Sequence, residues 1–244
     1  MIGAKTYCRS GLCVAAGVWV GLLAGCTTSP HRTRLTSPYD RTVVIAVAPA
    51  LNLSGSTDFD PVSAADLLAS ELGHVDDVMV IPVSRVLAVL AGQGRRQIES
   101  PSHALEVCEA LGADAIVVMA VTEYDPYDPP VVGMTAQLYA LPSAPGSGFD
   151  PVMASRQASP SGANEASDWP LRPKAQSQRV FNAAHDEVAE AVKKYARDRD
   201  ADESPMAWRK YIKSQQMFLR FCCWATVREL IRQEWHRQTG QVVS

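Results

Sequence analysis

The sequence lacks the residue patterns on which most catalytic and cofactor sites are built. Its six cysteines form no Cys-x-x-Cys pair and no cysteine–histidine cluster with the spacing of zinc ligands. It has no glycine-rich phosphate loop followed by lysine, and no serine, histidine and aspartate in the order of a known hydrolase family. His103, His185 and His236 stand alone at predicted helical positions. The sequence therefore predicts a protein that is not an enzyme, with no catalytic residue, no metal and no cofactor.

The sequence also lacks a strong positive charge and a long apolar run. Its 23 basic and 26 acidic side chains give a net charge of −3, whereas nucleic-acid-binding domains usually carry a basic face. The apolar run at residues 12–24 is shorter than the roughly 20 residues that a spanning helix needs. Nucleic acid is therefore excluded as the expected partner, and a permanent transmembrane segment is the weaker interpretation.

Residues 1–25 have the layout of a signal peptide. Lys5 and Arg9 are the only charges in this stretch, and an apolar segment follows them. The segment leads into LAGC at positions 23–26, which resembles a bacterial lipobox. This resemblance implies that the Cys26 thiol is alkylated with diacylglycerol, that the chain is cut before it, and that the new amino terminus is acylated. The alternative is an ordinary secretory signal in which the cysteine falls by chance.

The mature chain that such a cleavage leaves has a net charge of −5, because the signal removes two basic residues and no acid. Its length suits one domain with tails. Residues 26–41 are rich in Ser, Thr, Pro and Arg, and we expect a lipidated cysteine followed by a tether. We interpret Cys108, Cys222 and Cys223 as buried free thiols, or as one bridge from Cys108 to either of the adjacent pair.

Residues 42–158 alternate between strand-like apolar runs and helices. This order predicts an α/β domain with a mixed β-sheet of about five strands and flanking helices. Asp60, Ser84 and Ser100 are predicted to cap its three helices. The predicted strands are TVVIAVAPA, VMVIPV, DAIVVMAVTEY, VVGMTAQLYAL and DPVMASRQA.

Three stretches carry a family resemblance: VVIAVAPALNLSGSTDFDPVSAADLLASEL, VMVIPVSRVLAVL and ALEVCEALGADAIVVMAVTEY. They are similar to the amino-terminal domain of the periplasmic Tol-system propeller protein, the curli secretion lipoprotein and the lipoproteins that activate penicillin-binding proteins. Pro49 and Asn52 match the end of the family's first strand and its Asn-rich loop, and residues 111–118 match its LGADAIVV motif. Met119 and Ala50 depart from the Gly and Phe that the family often has. The resemblance implies this fold and a role in binding rather than turnover.

One acidic group is the best candidate for a metal or acid–base site: Asp58, Asp60, Asp76 and Asp77, with His74 nearby in sequence. We interpret Asp60 as a helix cap instead, and Asp76 and Asp77 as solvated carboxylates of a loop.

The carboxyl-terminal third differs in composition from the α/β domain. Residues 159–177 are predicted to form a flexible loop, and residues 178–238 a helical extension whose second helix runs from Met206 to about His236. We interpret this helix as docked on the sheet with an exposed basic back. The alternative is that Arg220, Arg228 and Arg232 contact lipid headgroups or an acidic partner.

These features predict a non-enzymatic envelope lipoprotein that binds a partner protein during assembly or maintenance of the cell envelope. Its predicted partners are an envelope protein of unknown identity and the lipid bilayer, which it contacts through Cys26. Thr27 stands where an Asp commonly marks inner-membrane retention in enteric bacteria, so the outer membrane, facing the periplasm, is the expected location. The alternatives are a hydrolase of cell-wall material and a subunit of an outer-membrane secretion assembly.

Overall fold

The computed structural model describes residues 34–142, 171–199 and 204–239. Within these ranges the chain forms six strands and six α-helices. The strands are β1 (Val43–Val47), β2 (Leu51–Asn52), β3 (Val78–Ile81), β4 (Ala115–Asp125), β5 (Val131–Ala140) and β6 (Ala175–Asn182). The helices are α1 (Pro61–Leu72), α2 (Val83–Gly92), α3 (Pro101–Ala110), α4 (Asp186–Arg197), α5 (Lys210–Lys213) and α6 (Gln215–Thr239).

The strands form one mixed sheet in the order β3-β1-β4-β5-β6, and β2 pairs with β4 beyond the end of β1. β1 is parallel to both β3 and β4, whereas β4, β5 and β6 follow one another antiparallel. The parallel part is connected by helices, as crossover connections require. The predicted α/β class with a mixed sheet is therefore confirmed, with carboxyl-terminal helices as an extension.

Two of the three predicted caps begin their helices. The Asp60 carboxylate accepts the N–H of Val62 at 2.9 Å, and Ser100 Oγ accepts the N–H of His103 at 3.1 Å. The prediction for Ser84 is wrong, because α2 begins at Val83 and Pro82, two residues before Ser84, occupies the cap position without a side-chain hydrogen bond.

The sheet separates two hydrophobic clusters. One lies between the sheet and α1, α4 and α6, and contains Phe181, Tyr195, Phe218 and Phe221. The other lies beneath α2 and α3 and contains mainly small and aliphatic side chains together with Cys108 and Tyr139. The interpretation that the carboxyl-terminal helix docks on the sheet agrees with this packing, since Phe218, Cys222 and Leu230 of α6 are buried in the first cluster.

The strand β6 spans the predicted boundary between the loop and the helical extension, at residues 177 and 178, so that boundary is wrong. Residues 175–182 pair with β5 from Val131↔Asn182 to Leu138↔Ala175, and α4 begins only at Asp186. The pairing satisfies the outer backbone groups of β5 and buries Ala175 and Phe181. The predicted strand DPVMASRQA and the rest of the predicted loop, up to residue 170, lie outside the described residues.

The predicted helix from Met206 to His236 is interrupted. A 3₁₀ turn and α5 end at Ser214, whose backbone is extended (φ −104°, ψ 116°). Ser214 then caps α6, because its carbonyl accepts the N–H of Phe218 at 2.9 Å and its Oγ accepts the N–H of Met217 at 3.4 Å. Although α6 has 25 residues, no helix in the described part of the chain is long and apolar enough to cross a membrane.

The predicted tether, residues 26–41, joins the fold earlier than expected. Thr36 forms a parallel bridge with Asp76, and the N–H of Ser37 donates to the Asp76 carbonyl at 3.1 Å. Ser37 is 3% exposed, and Leu35 and Tyr39 pack against the first cluster. The backbone therefore follows the domain from about residue 35, because its polar groups find partners beside β3 that the sequence alone does not reveal.

Candidate functional site

The acidic candidates lie at opposite ends of α1. Asp58 and Asp60 precede its first turn, whereas His74, Asp76 and Asp77 follow its last. Its 12 residues are about 18 Å long at 1.5 Å per residue, so the two groups cannot share an ion. Across the described ranges no group of three His, Cys, Asp or Glu side chains could hold a metal ion.

Arg220 is part of an ion-pair cluster around the buried carboxylate of Glu71. Its Nε donates to Glu71 Oε1 at 2.8 Å, and the Glu71 side chain is completely buried. Arg199 pairs with the other oxygen of Glu71, and the Tyr195 hydroxyl lies 3.5 Å from Oε1. The hydrogen bond to Glu71 raises the pKa of Arg220. These contacts tie α1, α4 and α6 together and give Arg220 a structural role.

Arg228 and Arg232 lie on the exposed side of α6, apart from Arg220. The Arg232 guanidinium donates to both oxygens of Glu229, at 2.8 and 2.9 Å, and these hydrogen bonds lower the pKa of Glu229. Arg228 lies over the Trp224 ring, 5.6 Å from its centroid. The structure therefore brings two of the three predicted contact residues to one face. Cys26, the predicted lipidation site, lies outside the described residues.

The three cysteines that fall within the described ranges are free and buried. Cys108 belongs to the cluster beneath α2 and α3, whereas Cys222 and Cys223 belong to the cluster on the other side of the sheet. Burial raises the pKa of the Cys108 thiol to about 12, and it also raises the pKa of both α6 thiols. The predicted alternative of a bridge from Cys108 is wrong, because the sheet lies between the thiols.

A second buried carboxylate, Glu234, fixes the beginning of the domain against the end of α6. The Tyr39 hydroxyl donates to Glu234, and Arg237 pairs with the same carboxylate at 2.7 Å. Burial, together with the charge of Glu234, raises the pKa of Tyr39. The Trp235 indole N–H donates to the Thr36 carbonyl at 2.9 Å. Residues 36–39 are thus held on the last turns of α6.

The outer edge of the sheet at β6 has the geometry of a strand-binding site. The N–H of Ala183 donates to the Pro130 carbonyl, so the alternating residues 175, 177, 179 and 181 direct their backbone groups to β5. The backbone groups of Gln176, Gln178, Val180 and Asn182 therefore point away from the sheet.

Both ends of this edge are already occupied. The Gln233 side-chain amide of α6 accepts the Gln176 N–H at 2.9 Å and donates to the Gln176 carbonyl at 2.8 Å. At the other end, the Asn182 carbonyl accepts the N–H of His185 at 3.0 Å. Between them, the N–H and C=O of Gln178 and Val180 have no partner among the described residues.

A groove of about 260 Å³ runs beside this open edge, between β6 and α6. Arg179 and Phe181 line its strand side, and Ala225 and Glu229 line its helix side. The Arg179 guanidinium pairs with Glu187 at 2.8 Å and lies over the Phe181 ring. On the opposite face of the sheet, Val180 is 55% exposed. Sequence reasoning missed this edge, although the alternation of polar and buried residues in AQSQRVFN is a weak signal of it.

Comparisons with known proteins give a loose likeness and no family. No family model and no curated protein matches the chain. The solved structures that resemble it include the LpoB C-terminal domain from Salmonella enterica, with 13% identity over 43% of this chain and 76% of that one. Lipoprotein GNA1162 from Neisseria meningitidis has 18% identity over 52% of this chain and 97% of its own.

The hypothetical protein CT253 from Chlamydia trachomatis has 13% identity over 82% of this chain and 99% of its own. The TM-scores of these three structures are 0.36, 0.32 and 0.34, in the order given. Likeness at this level assigns neither a family nor a function.

Proposed function

We propose that this chain is a lipid-anchored envelope protein without enzymatic activity, and that it binds an extended segment of a partner protein along the open edge of β6. The lipobox ending in Cys26 supports the anchor. The binding site is supported by Gln178 and Val180, whose four outward backbone groups have no partner among the described residues. We place the protein at the outer membrane, facing the periplasm.

An extended peptide is the ligand that such an edge fits. Two donors and two acceptors alternate at strand spacing, and only another extended backbone satisfies them together. The occupied groups at Gln176 and Asn182 limit the pairing to a short stretch. The site therefore adds about one short strand to the sheet and does not enclose a small molecule.

Charge at the edge favours a different chain over a second copy of this one. Two copies satisfy the four outward backbone groups together only when the two-fold axis passes at Arg179, which pairs Gln178 of one protomer with Val180 of its partner. That register sets Arg179 opposite Arg179, and like charges directly opposite on paired strands are destabilising. A partner strand with an acidic residue at this position, and an apolar one beside Val180, fits the edge better.

The ionisable groups of the described chain support a binding role over catalysis. Glu71 and Glu234 are each held by arginine, and Asp60 is held by the backbone at a helix start. No observation in the described part of the chain favours the cell-wall hydrolase or the secretion assembly.

Site-specific photocrosslinking tests this proposal. A photoreactive phenylalanine at Gln178 in the anchored protein should give one crosslinked adduct, whereas the same probe at the exposed Glu106 of α3 should not. Val180→Pro should abolish the adduct, because it removes an outward N–H and leaves the pairing with β5 intact. Val180→Thr keeps that N–H and should retain the adduct. Equal adducts from both probe positions, or an adduct that survives Val180→Pro, would contradict the proposal.

A further inference from the structure

The link between Cys26 and the fold is short. The N–H of Asp76 donates to the Leu35 carbonyl at 2.8 Å, and the contacts of Thr36, Ser37 and Tyr39 follow directly. Residues 27–34 are therefore left to link the lipidated cysteine to the docked backbone. These eight residues reach roughly 26 Å at about 3.3 Å each when fully extended.

The docked backbone begins at the end of the sheet where the parallel strands start. Thr36 pairs beside the start of β3, and the Asp77 carbonyl accepts the N–H of Val43 at 2.9 Å, so the chain enters where β1 and β3 begin. β4 also begins on this side, since the N–H of Asp114 donates to the Val44 carbonyl at 2.8 Å. The end of α6 lies here as well, through the bond from Trp235 to Thr36.

The side chains at this point suit a bilayer surface. Trp235 is 42% exposed although its indole N–H is bonded, which leaves an apolar ring with a fixed polar end, the form that tryptophan takes at membrane interfaces. The link carries His31, Arg32 and Arg34, and no acidic residue occurs between Cys26 and Leu35, although Arg34 itself pairs with Asp76 at 3.2 Å. Basic residues this close to a bilayer are attracted to anionic headgroups.

We infer that the face around Thr36 and Trp235 lies against the headgroups of the bilayer that holds the acyl chains, with the Trp235 ring at the interface. This inference rests on the proposed anchor at Cys26. The strands β1, β3 and β4 then begin near the membrane and extend away from it. β4 has 11 residues, so the turn before β5 stands roughly 33 Å farther out at about 3.3 Å per residue. Gln178 and Val180 lie opposite residues in the middle of β5, so the open edge is clear of the headgroups.

Indole fluorescence on vesicles tests this orientation. The lipidated protein is reconstituted into vesicles of phosphatidylethanolamine and phosphatidylglycerol that carry bromine near the headgroup end of the acyl chains. The wild type should be quenched, and Trp235→Phe should lose most of that quenching. Trp208→Phe, a partly buried residue near Lys193, should keep it. Acrylamide quenches from the water side, so Trp208→Phe should lose more of the acrylamide quenching than Trp235→Phe does. Thermal unfolding checks that both variants fold.

The outcomes separate the orientation from the anchor. Quenching of Trp235→Phe equal to that of the wild type, in an acylated protein on the same vesicles, would overturn the orientation and leave the anchor in place. A purified protein without acyl chains, shown by mass spectrometry, would overturn both.

Discussion

Glu71 and Arg220, 149 residues apart in the chain, form an ion pair with Nε 2.8 Å from Oε1, and the carboxylate has no exposed surface. This contact joins α1 to α6 and changes what a substitution at Arg220 measures. On charge alone, the sequence groups Arg220 with Arg228 and Arg232 as contacts for lipid headgroups or an acidic partner. Its removal would leave a buried carboxylate with one fewer partner, which is a change in the stability of the fold.

Arg220→Ser should therefore lower the free energy of unfolding by about 1–3 kcal/mol, because Arg199 still partners Glu71 while one charged hydrogen bond is lost. Arg228→Ser, on the exposed side of the same helix, should change it by less than about 0.5 kcal/mol. Urea unfolding of the unlipidated domain at pH 7 measures both. Equal effects of the two substitutions would show that the Glu71 cluster does not support the fold.

Asp60→Ala should destabilise the fold by about 1 kcal/mol at pH 7, as loss of an N-cap does. Hydrogen bonds from Ser63 and from the backbone lower the pKa of Asp60, so its contribution is complete above the unfolded-state pKa, about 3.9. It is lost as pH falls through the folded-state pKa. The difference between wild type and variant should thus shrink below about pH 4. Asp58→Ala is the matched control, and a pH-independent difference would contradict the capping role.

The thiols of Cys108, Cys222 and Cys223 should not react with a disulfide reagent at pH 8 in the folded chain of residues 27–244, which carries no other cysteine. Burial excludes the reagent and raises their pKa values, so little thiolate forms. All three should react after unfolding in guanidinium chloride. Rapid reaction of the native protein, or fewer than three thiols after unfolding, would contradict the buried free state.

Arg179→Val should promote self-association of the unlipidated domain, because it removes the like charges that oppose pairing of two β6 edges. Sedimentation velocity over a range of concentrations should show a monomeric wild type and a concentration-dependent dimer of the variant. Arg228→Val, which adds the same side chain away from the edge, should remain monomeric. A wild type that is already dimeric through β6 would contradict the argument that Arg179 directs the edge to another chain.

Local signals in the sequence predict most of the sheet and its helices. The apolar run of β1, the caps Asp60 and Ser100 and the alternation of β5 each act within a few residues, so their consequences are readable from neighbours in the chain. β6 was missed for the same reason. As an edge strand it exposes Gln176, Gln178 and Val180, and its place depends on pairing with β5 across 37 residues or more.

The candidate site depended even more on distant contacts. Glu71 is buried because Arg199 and Arg220, 128 and 149 residues away, reach it, and no local pattern signals that. The early docking of the tether depends on Asp76 and on Trp235, which are likewise distant in sequence. The composition of residues 26–41 described their polarity correctly but not the partners of their backbone.

The intact mass of the protein extracted from bacterial envelopes shows whether Cys26 carries the lipid anchor. We expect a chain that begins at residue 26 and carries a diacylglyceryl thioether and an amino-terminal acyl chain. Cys26→Ser should abolish both the modification and the cleavage before this residue. A wild-type protein of the full precursor mass, or one cleaved elsewhere and free of lipid, would contradict the anchor and with it the membrane-facing orientation of Trp235.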